Sequence, residues 1–381
     1  MQSKIWKIII PIGLLLLTFL TLSIYLQLEL SAPSGSYMVG QNVFRWMDTL
    51  RPEPLTEDPN DFREVSAVVW YPAALGTGVR AEYFPSLSTL SSALAQSGEI
   101  KSWQVFGLRF IRSGSFLDAE PARNQAPFPV VLLSPGNGTN IEFYTSLASE
   151  IASHGYIVVG LNHPYDVAAV ELSNGNIAPY NKDQWLMDVS AHQAYTAERI
   201  KVRTADVLFA LDQLEIINSD ANGFFAGILD LENVAVAGHS LGGITASEAC
   251  KANRRFKACL NFDGLENGGP FSTDETAIPP EQPFMFITKE SQLHPKLLES
   301  FEATTESYWV VVHGASHNSF TDGLLLQPRL LPVPNQADQF MNLIQKYTLA
   351  FLDQTLKEQP DTLLSEDINP EDISVKVFPT K

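Results

Sequence analysis

The stretch Val234–Gly243, which reads VAVAGHSLGG, decides the fold of this 381-residue chain. Its four leading apolar residues, without polar alternation, predict a buried strand, and the glycines that follow permit a tight turn at Ser240. Residues 244–252 then have the character of a helix. A phosphate-binding glycine loop would instead end in Gly-Lys-Ser or Gly-Lys-Thr, which this turn does not. A serine held between a buried strand and a helix presents its hydroxyl at the end of a sheet, so Ser240 is the candidate nucleophile.

Strands and helices alternate on both sides of this turn. Further strands are predicted at residues 64–71, 130–133, 156–161, 258–262, 284–288 and 308–312, and helices at residues 143–153, 186–217 and 336–356. Residues 73–128 are expected to be irregular, apart from a short helix near residues 86–95. Such alternation predicts an α/β fold with a mostly parallel central sheet and helices on both faces.

The composition of the two ends predicts the domain limits. Residues 1–30 form a separate hydrophobic segment, and residues 31–62 are rich in Pro, Ser, Asp and Glu, as linkers are. Residues 63–358 hold all the predicted strands and helices, so they are the expected catalytic domain. Residues 359–381 are an acidic stretch that we expect to be a tail.

The N-terminal segment predicts where the domain lies. Lys4 and Lys7 precede an apolar run over residues 8–28, which has the length of a membrane span. A small-x-small cleavage site is not evident, because Pro33 follows Ala32. We therefore expect an uncleaved signal anchor that attaches the protein to a membrane, with a cleaved signal peptide as the alternative. Either one places the catalytic domain outside the cytoplasm: membrane-anchored in the first case, secreted or periplasmic in the second.

Charge and residue usage exclude several classes of partner. The chain has 25 basic and 43 acidic residues and a net charge of −18, which argues against a nucleic-acid partner. No His-Glu-x-x-His or paired Cys-x-x-Cys motif occurs, so neither a metal nor another cofactor is expected. Cys250 and Cys259 lie nine residues apart. Buried thiols are the favoured interpretation and a disulfide is the alternative. The oligomeric state stays open.

A nucleophilic serine needs a base, and the base needs a carboxylate that orients it. Asp263 ends the predicted strand at residues 258–262, 23 residues after Ser240, and Glu266 is a weaker alternative in the next loop. Two histidines follow the last strand. His317 is favoured as the base because it lies in a loop that can reach a strand-end serine, whereas His313 directly ends the strand.

An oxyanion that develops during acyl transfer needs backbone donors. Leu241 offers one N–H at the start of the helix after Ser240. The second donor is expected from the loop after the strand at residues 130–133, where Asn137 is favoured. The alternative is that this loop is an ordinary tight turn.

Residues from about 65 to 356 resemble the platelet-activating factor acetylhydrolase family of the plasma, calcium-independent type. The resemblance rests on VVWYPA, VVLLSPGNG, ASEIASHGYIVVGLNHPYD, VRTADVLFALDQL, AVAGHSLGG, CLNFDG and SHNSFTD. It implies an α/β-hydrolase fold, a Ser240–Asp263–His317 triad and an oxyanion hole formed by Leu241 and Asn137. It also implies cleavage of short acyl esters, such as the sn-2 ester of a phospholipid, through an acyl-enzyme without a cofactor. The family usually has His-Gly in the oxyanion loop, where this chain has Pro-Gly at residues 135–136.

Two other functions are compatible with these residues. A general carboxylesterase or polyester hydrolase would keep the fold and change the substrate. A membrane-tethered, catalytically silent binding module would keep only the pocket. The apolar, proline-broken stretch at residues 323–334 is either a lipid-facing lip beside the histidine loop or a buried connection.

Overall fold

The computed structural model describes residues 10–19, 21, 30–264, 278–291, 295–301, 306–326, 336–359, 362–364 and 371–378. The strands in these ranges are β1 (Met38–Pro52), β2 (Phe62–Ala73), β3 (Val79–Glu82), β4 (Arg112–Leu117), β5 (Phe128–Ser134), β6 (Ile157–Asn162), β7 (Ala169–Glu171), β8 (Ile177–Pro179), β9 (Leu229–His239), β10 (Phe256–Phe262), β11 (Phe284–Lys289), β12 (Ser307–Val312) and β13 (Ile373–Phe378). The helices are α1 (Leu87–Ser97), α2 (Ser102–Leu108), α3 (Thr145–Ser153), α4 (Val189–Ser219), α5 (Leu241–Ala252), α6 (Pro295–Phe301) and α7 (Gln336–Leu356).

Among the described residues, eleven strands form one sheet in the order β13-β12-β11-β10-β9-β5-β6-β2-β1-β4-β3. The six strands from β12 to β6 in this order are parallel to their neighbours. Antiparallel pairs flank them on both sides, β13 on β12 and β2 on β6. The predicted mostly parallel α/β sheet is confirmed. The carboxyl ends of the parallel strands share one edge, where ligand sites of such sheets form.

The core lies on both faces of the sheet, and β5 shows how. Val130 and Leu132 belong to the cluster that includes side chains of α4 and α5. Val131 and Leu133 belong to the opposite cluster, with α3 and α7. Because helices cover both faces, neither face of this strand meets water, and its sequence is continuously apolar.

The structure corrects both predicted ends of the domain. The predicted linker at residues 31–62 contains β1, which pairs with β2 along most of its length. The predicted tail at residues 359–381 contains β13, which pairs with β12. The sheet therefore extends beyond the predicted limits of 63 and 358. Both strands lie outside the parallel centre of the sheet, and polar and charged residues interrupt their apolar pattern.

The two cysteines also differ from the favoured expectation. Cys250 at the end of α5 and Cys259 in β10 form a disulfide, with Cα atoms 6.3 Å apart. Helix α5 follows β9 and packs against the neighbouring strand β10, which brings the two thiols together. The interpretation as free buried thiols was wrong, and the alternative is the one observed.

Much of the predicted signal anchor lies outside the described residues. Residues 10–19 are helical, whereas residues 1–9, 20 and 22–29 are not described. In the part of the chain that the structure covers, no helix combines the length and the apolar character that crossing a membrane requires.

Candidate active site

Ser240 occupies a strained turn between β9 and α5. Its backbone has φ 55° and ψ −122°, a conformation that residues other than glycine rarely adopt. Two hydrogen bonds hold it: the Ser240 N–H donates to the Phe262 carbonyl, and the Gly243 N–H donates to the Ser240 carbonyl, each at 2.9 Å. Strain that the surrounding structure maintains in this way is typical of functional positions.

Close packing explains why a glycine follows the serine at position 242. A Cβ atom there would overlap the backbone carbonyl oxygen of Ser134 at the end of β5. Only glycine lets the first turn of α5 approach β5 this closely. The turn at Ser240 therefore lies directly against β5, and the loop after β5 contains Asn137, the predicted second oxyanion donor.

The structure brings the predicted acid and base together. Asp263 follows β10, and His317 begins a short 3₁₀ turn, His317–Phe320, after β12. His317 Nδ1 lies 2.6 Å from Asp263 Oδ2. The carboxylate is fully buried, whereas 43% of the His317 side chain is exposed. An ionised carboxylate only accepts, so Nδ1 carries the proton of neutral His317 and leaves Nε2 as the basic nitrogen.

Ring packing places His317 beside the elbow. The ring of His239, the residue before Ser240, lies 4.5 Å from the His317 ring between centroids. Phe320, from the same turn as His317, stacks on the His239 ring, with 5.6 Å between the ring centroids. The pair of Asp263 and His317 therefore lies against the strand end that carries the serine.

The two alternative site residues have other positions. His313 Nδ1 lies 2.8 Å from Glu290 Oε1, and its Nε2 lies 2.5 Å from Ser374 Oγ. Both of its ring nitrogens are thus engaged at the edge formed by β11 and β13. Glu266, the weaker candidate acid, lies outside the described residues.

The loop after β5 lies next to the serine. A Cβ atom placed on Gly136 would be 3.5 Å from the Cβ of Ser240. The Gly136 N–H donates to the Tyr144 hydroxyl at 3.0 Å, and the Gly138 N–H donates to the Asp166 carbonyl at 2.8 Å.

The N–H groups of Asn137 and Leu241, the predicted oxyanion donors, differ from these neighbours. Neither donates to an acceptor within the residues that the structure describes. Asn137 engages the protein through its side chain, which donates to Gln184 at 3.0 Å. Two backbone donors therefore remain for a ligand at the edge where Ser240 lies.

A cavity of about 590 Å³ borders this edge. Its wall includes Gly138 and Thr139 from the loop after β5, and Asn318 and Thr321 from the turn of His317. The apolar part of the wall comes from Ile100, Trp103, Phe106, Leu108, Phe110 and Ile111. Large apolar side chains with a few polar groups at one end are typical of a small-molecule site.

Part of the predicted apolar lip contributes to the same wall. Leu324 and Leu326 line the cavity, while residues 327–334 of that stretch lie outside the described residues.

Sequence reasoning did not identify several buried polar residues around the site. Asp322, five residues after His317, accepts from the Tyr83 hydroxyl at 3.0 Å and from the Ser146 N–H at 3.3 Å. It thereby fastens the histidine loop to the start of α3. Burial raises the pKa of Asp322 to about 7. Three further residues, Tyr144, His163 and Arg203, lie under the loop after β5. For Arg203, the sequence signal is a charged residue among apolar ones in the helix predicted at residues 186–217.

The site offers no evident metal ligands. Within the described ranges, no group of three or more His, Cys, Asp and Glu side chains is arranged to hold a metal ion.

The chain has a serine in a turn between a strand and a helix, and a carboxylate–imidazole pair after later strands. This is the arrangement of an α/β-hydrolase. Its relatives include named esterases, so the class of protein is an ester hydrolase. A family model described as platelet-activating factor acetylhydrolase, isoform II, matches residues 79–369. The chain belongs to this family, which confirms the resemblance seen in the sequence.

Individual relatives agree with that assignment. The platelet-activating factor acetylhydrolase of Cavia porcellus is 25% identical over 326 residues, 78% of this chain and 70% of that protein. A probable 1-alkyl-2-acetylglycerophosphocholine esterase of Arthroderma benhamiae is 28% identical over 157 residues, 41% of this chain and 36% of that protein. The solved structure of a ferulic acid esterase from Streptomyces cinnamoneus matches with a TM-score of 0.71 at 25% identity. That match covers 92% of this chain and 98% of the other.

Proposed function

We propose that this protein cleaves short acyl esters at the sn-2 position of glycerophospholipids, with Ser240 as nucleophile, His317 as base and Asp263 as acid. The observation that carries the proposal is the contact of 2.6 Å between His317 Nδ1 and Asp263 Oδ2, made beside the strained serine.

The chemistry follows from this arrangement. The Ser240 hydroxyl attacks the ester carbonyl while His317 Nε2 takes its proton, and the Asp263 carboxylate holds the ring and stabilises the imidazolium. The Leu241 and Asn137 N–H groups stabilise the tetrahedral oxyanion. His317 then returns the proton to the departing alcohol or lysolipid, which leaves an acyl-enzyme. Water, activated by the same histidine, releases the acid and restores the serine.

The cavity and the relatives support the choice of substrate. The apolar wall of Trp103, Phe106 and Phe110 suits an acyl or alkyl chain, and the polar Asn318 of the same cavity belongs to the turn that begins at His317. One relative is named an acetylhydrolase of platelet-activating factor, and another a probable esterase of 1-alkyl-2-acetylglycerophosphocholine.

A general carboxylesterase is the second candidate. The observation in its favour is the close structural match to a ferulic acid esterase, an enzyme named for an ester that is not a phospholipid.

Acyl release from sn-2 acetyl and from sn-2 palmitoyl phosphatidylcholine, with a chelator present, separates these candidates. The phospholipid proposal predicts rapid release of acetate, slow release of palmitate and no effect of the chelator. Equal rates on both lipids, or a requirement for calcium, would leave the general carboxylesterase. A protein that hydrolyses neither lipid nor simple esters and resists a fluorophosphonate label would be a silent binding module.

We also propose that the catalytic domain works outside the cytoplasm, attached through the N-terminal segment. The disulfide between Cys250 and Cys259 suits an oxidising compartment, and Lys4 and Lys7 precede the apolar run as in a signal anchor. The full chain should sediment with membranes and resist extraction by high salt. A mature N-terminus sequenced near residue 32 would indicate a cleaved signal and a secreted or periplasmic protein instead.

A further inference from the structure

A hydrogen-bonded network lies directly beneath the loop that carries Asn137. His163 Nε2 lies 3.0 Å from Ser134 Oγ, and His163 Nδ1 lies 2.8 Å from Asp206 Oδ2. All three residues are buried. Burial and the charge of Arg203 lower the pKa of His163 to about 4. His163 is therefore neutral at physiological pH, with Nδ1–H donating to Asp206 and Nε2 accepting from the Ser134 hydroxyl.

Arg203 connects this network to the loop. Its Nη2 donates to the backbone carbonyl of Pro135, and it also lies 3.3 Å from Ser134 Oγ. Arg203 is fully buried, and its Nε and Nη1 atoms have no partner within the described part of the chain. Burial lowers its pKa to about 10, so it stays charged at neutral pH. The charge is thus directed at one carbonyl of the loop.

Tyr144 holds the other side of the same peptide. Its hydroxyl accepts from the Gly136 N–H at 3.0 Å and lies 2.8 Å from His239 Nδ1. The tautomer of His239 decides which member of this second contact donates. Burial lowers the pKa of His239 well below its usual value, so its ring is neutral.

The Pro135–Gly136 peptide is consequently fixed at both of its polar groups. Arg203 binds the carbonyl oxygen and Tyr144 binds the N–H, so rotation of this peptide plane would break both contacts. Such fixing matters here because Gly136 has wide conformational freedom, and the next N–H along the chain belongs to Asn137. The direction of that N–H depends on the plane of the preceding peptide and on the Gly136 torsion angles.

The geometry points to Arg203 and Tyr144 as positioning residues that orient the Asn137 N–H of the oxyanion hole by holding the Pro135–Gly136 peptide from opposite sides. This inference rests on the proposed function, because it assigns the Asn137 N–H to the oxyanion. Neither residue touches the substrate in this role. Each acts through the backbone of the loop. Each therefore stabilises the transition state more than it strengthens substrate binding.

Tyr144→Phe tests the N–H side, with Tyr71→Phe as the matched control. The Tyr71 hydroxyl is likewise buried and donates to a backbone carbonyl, that of Ala119, far from the loop in sequence. Loss of an oxyanion donor costs about 10² to 10³ in kcat, so disordering one should lower kcat roughly tenfold to a hundredfold. KM should change little in Tyr144→Phe, and Tyr71→Phe should retain the wild-type kcat.

A trifluoromethyl ketone provides a readout that general loss of stability would not change. Its reversible tetrahedral adduct with Ser240 places an oxyanion in the hole, as the transition state does. The inhibition constant of Tyr144→Phe should rise by the factor by which kcat/KM falls. The melting temperature should fall in both variants, and further in Tyr144→Phe, because Tyr144 loses two buried hydrogen bonds and Tyr71 loses one.

Arg203→Lys and Arg203→Met test the carbonyl side. Lysine keeps a positive charge and a donor for the Pro135 carbonyl, whereas methionine fills similar volume without either. We expect Arg203→Lys to retain more kcat and tighter ketone binding than Arg203→Met. If Arg203→Met does not fold, Arg203→Lys carries the test alone: its inhibition constant for the ketone should rise by the factor by which its kcat/KM falls.

The control with Ser240→Ala separates this inference from the proposed function. An inactive Ser240→Ala together with Tyr144→Phe that matches Tyr71→Phe in kcat and ketone affinity would overturn the positioning role alone. An active Ser240→Ala would overturn the proposed function, and with it the assignment of the oxyanion hole.

Discussion

Two sets of Ser, His and Asp residues lie near each other on this sheet, and the proposed function assigns catalysis to only one of them. Asp263, His317 and the elbow serine Ser240 lie at the carboxyl ends of β9, β10 and β12. Ser134, His163 and Asp206 lie at the ends of β5 and β6 and in α4, with contacts of 3.0 and 2.8 Å. The distance between imidazole and carboxylate is similar in both, so that contact alone does not distinguish them.

Burial and charge distinguish them. Of the His317 side chain, 43% is exposed, and Asn318 and Thr321 of the same turn line the cavity. His163 is fully buried, and its pKa is lowered to about 4, so it is a poor base near neutral pH. For Asp206, burial alone would raise the pKa, but the charge of Arg63 and the hydrogen bond from His163 lower it well below its usual range. In our proposal, the same three residue types form a reactive site where one side chain is exposed and a rigid support where all three are buried.

Ser240→Ala against Ser134→Ala gives the largest expected difference between the two arrangements. Removal of the nucleophile in a triad costs roughly 10⁴- to 10⁶-fold in kcat. Ser134 only supports the loop after β5, so Ser134→Ala should cost no more than about a hundredfold. Ester hydrolysis under saturating substrate measures both, with circular dichroism as the check that each variant folds. Comparable losses in the two variants would remove the distinction.

Asp263→Asn and His317→Ala should have the next largest effects. Asp263→Asn should lower kcat about 10⁴-fold, because the asparagine no longer holds the productive tautomer, and His317→Ala about 10⁴- to 10⁶-fold, because the alanine removes the base. His313→Ala is the control, since its ring nitrogens are engaged by Glu290 and Ser374, and it should stay within roughly tenfold of wild type. An inactive His313→Ala with an active His317→Ala would assign the base to the other histidine.

The smallest effect sharpens the comparison from the buried side. Between pH 6.5 and about 4, the unfolded chain protonates His163 while the folded protein does not. The stability that neutral His163 provides is therefore present above pH 6.5 and is lost as pH falls, by about 3 kcal/mol in total. Urea unfolding of His163→Asn should show a shallower decline between pH 6.5 and 4 than wild type does.

The difference in slope between variant and wild type is the quantity to measure. Burial raises the pKa of Glu142 and of Asp322 to about 7. The stability that these two carboxyl groups contribute to the folded protein therefore falls as pH rises through the same range. Their contributions cancel when the two proteins are compared. Parallel slopes would show that His163 titrates alike in the folded and unfolded states.

The parallel centre of the fold could be predicted because its strands are buried on both faces. A run such as residues 130–133 is apolar throughout, and that signal needs no knowledge of neighbours. Strands β1 and β13 lie outside the parallel centre, and polar side chains such as Gln41 and Lys376 lie within them. Their pairing depends on partners far along the chain, and local composition alone indicated a linker and a tail.

The positions of Ser240, Asp263 and His317 could be predicted for the same reason. Each follows a strand of the parallel centre, and such strand ends share one edge. The supports beneath them could not be predicted. Arg203 reaches the Pro135 carbonyl from a residue 68 positions away along the chain. The sequence likewise left the pairing of the two cysteines open, because it depends on how α5 packs against β10.

Site-resolved labelling tests the central claim most directly. The wild-type protein is treated with a fluorophosphonate, digested, and the modified peptide is located by mass spectrometry. We predict a single adduct on Ser240 and no labelling of the Ser240→Ala variant, because Ser240 combines a strained turn with a position beside the His317–Asp263 pair. An adduct on Ser134, or labelling that persists in Ser240→Ala, would contradict the assignment of the nucleophile.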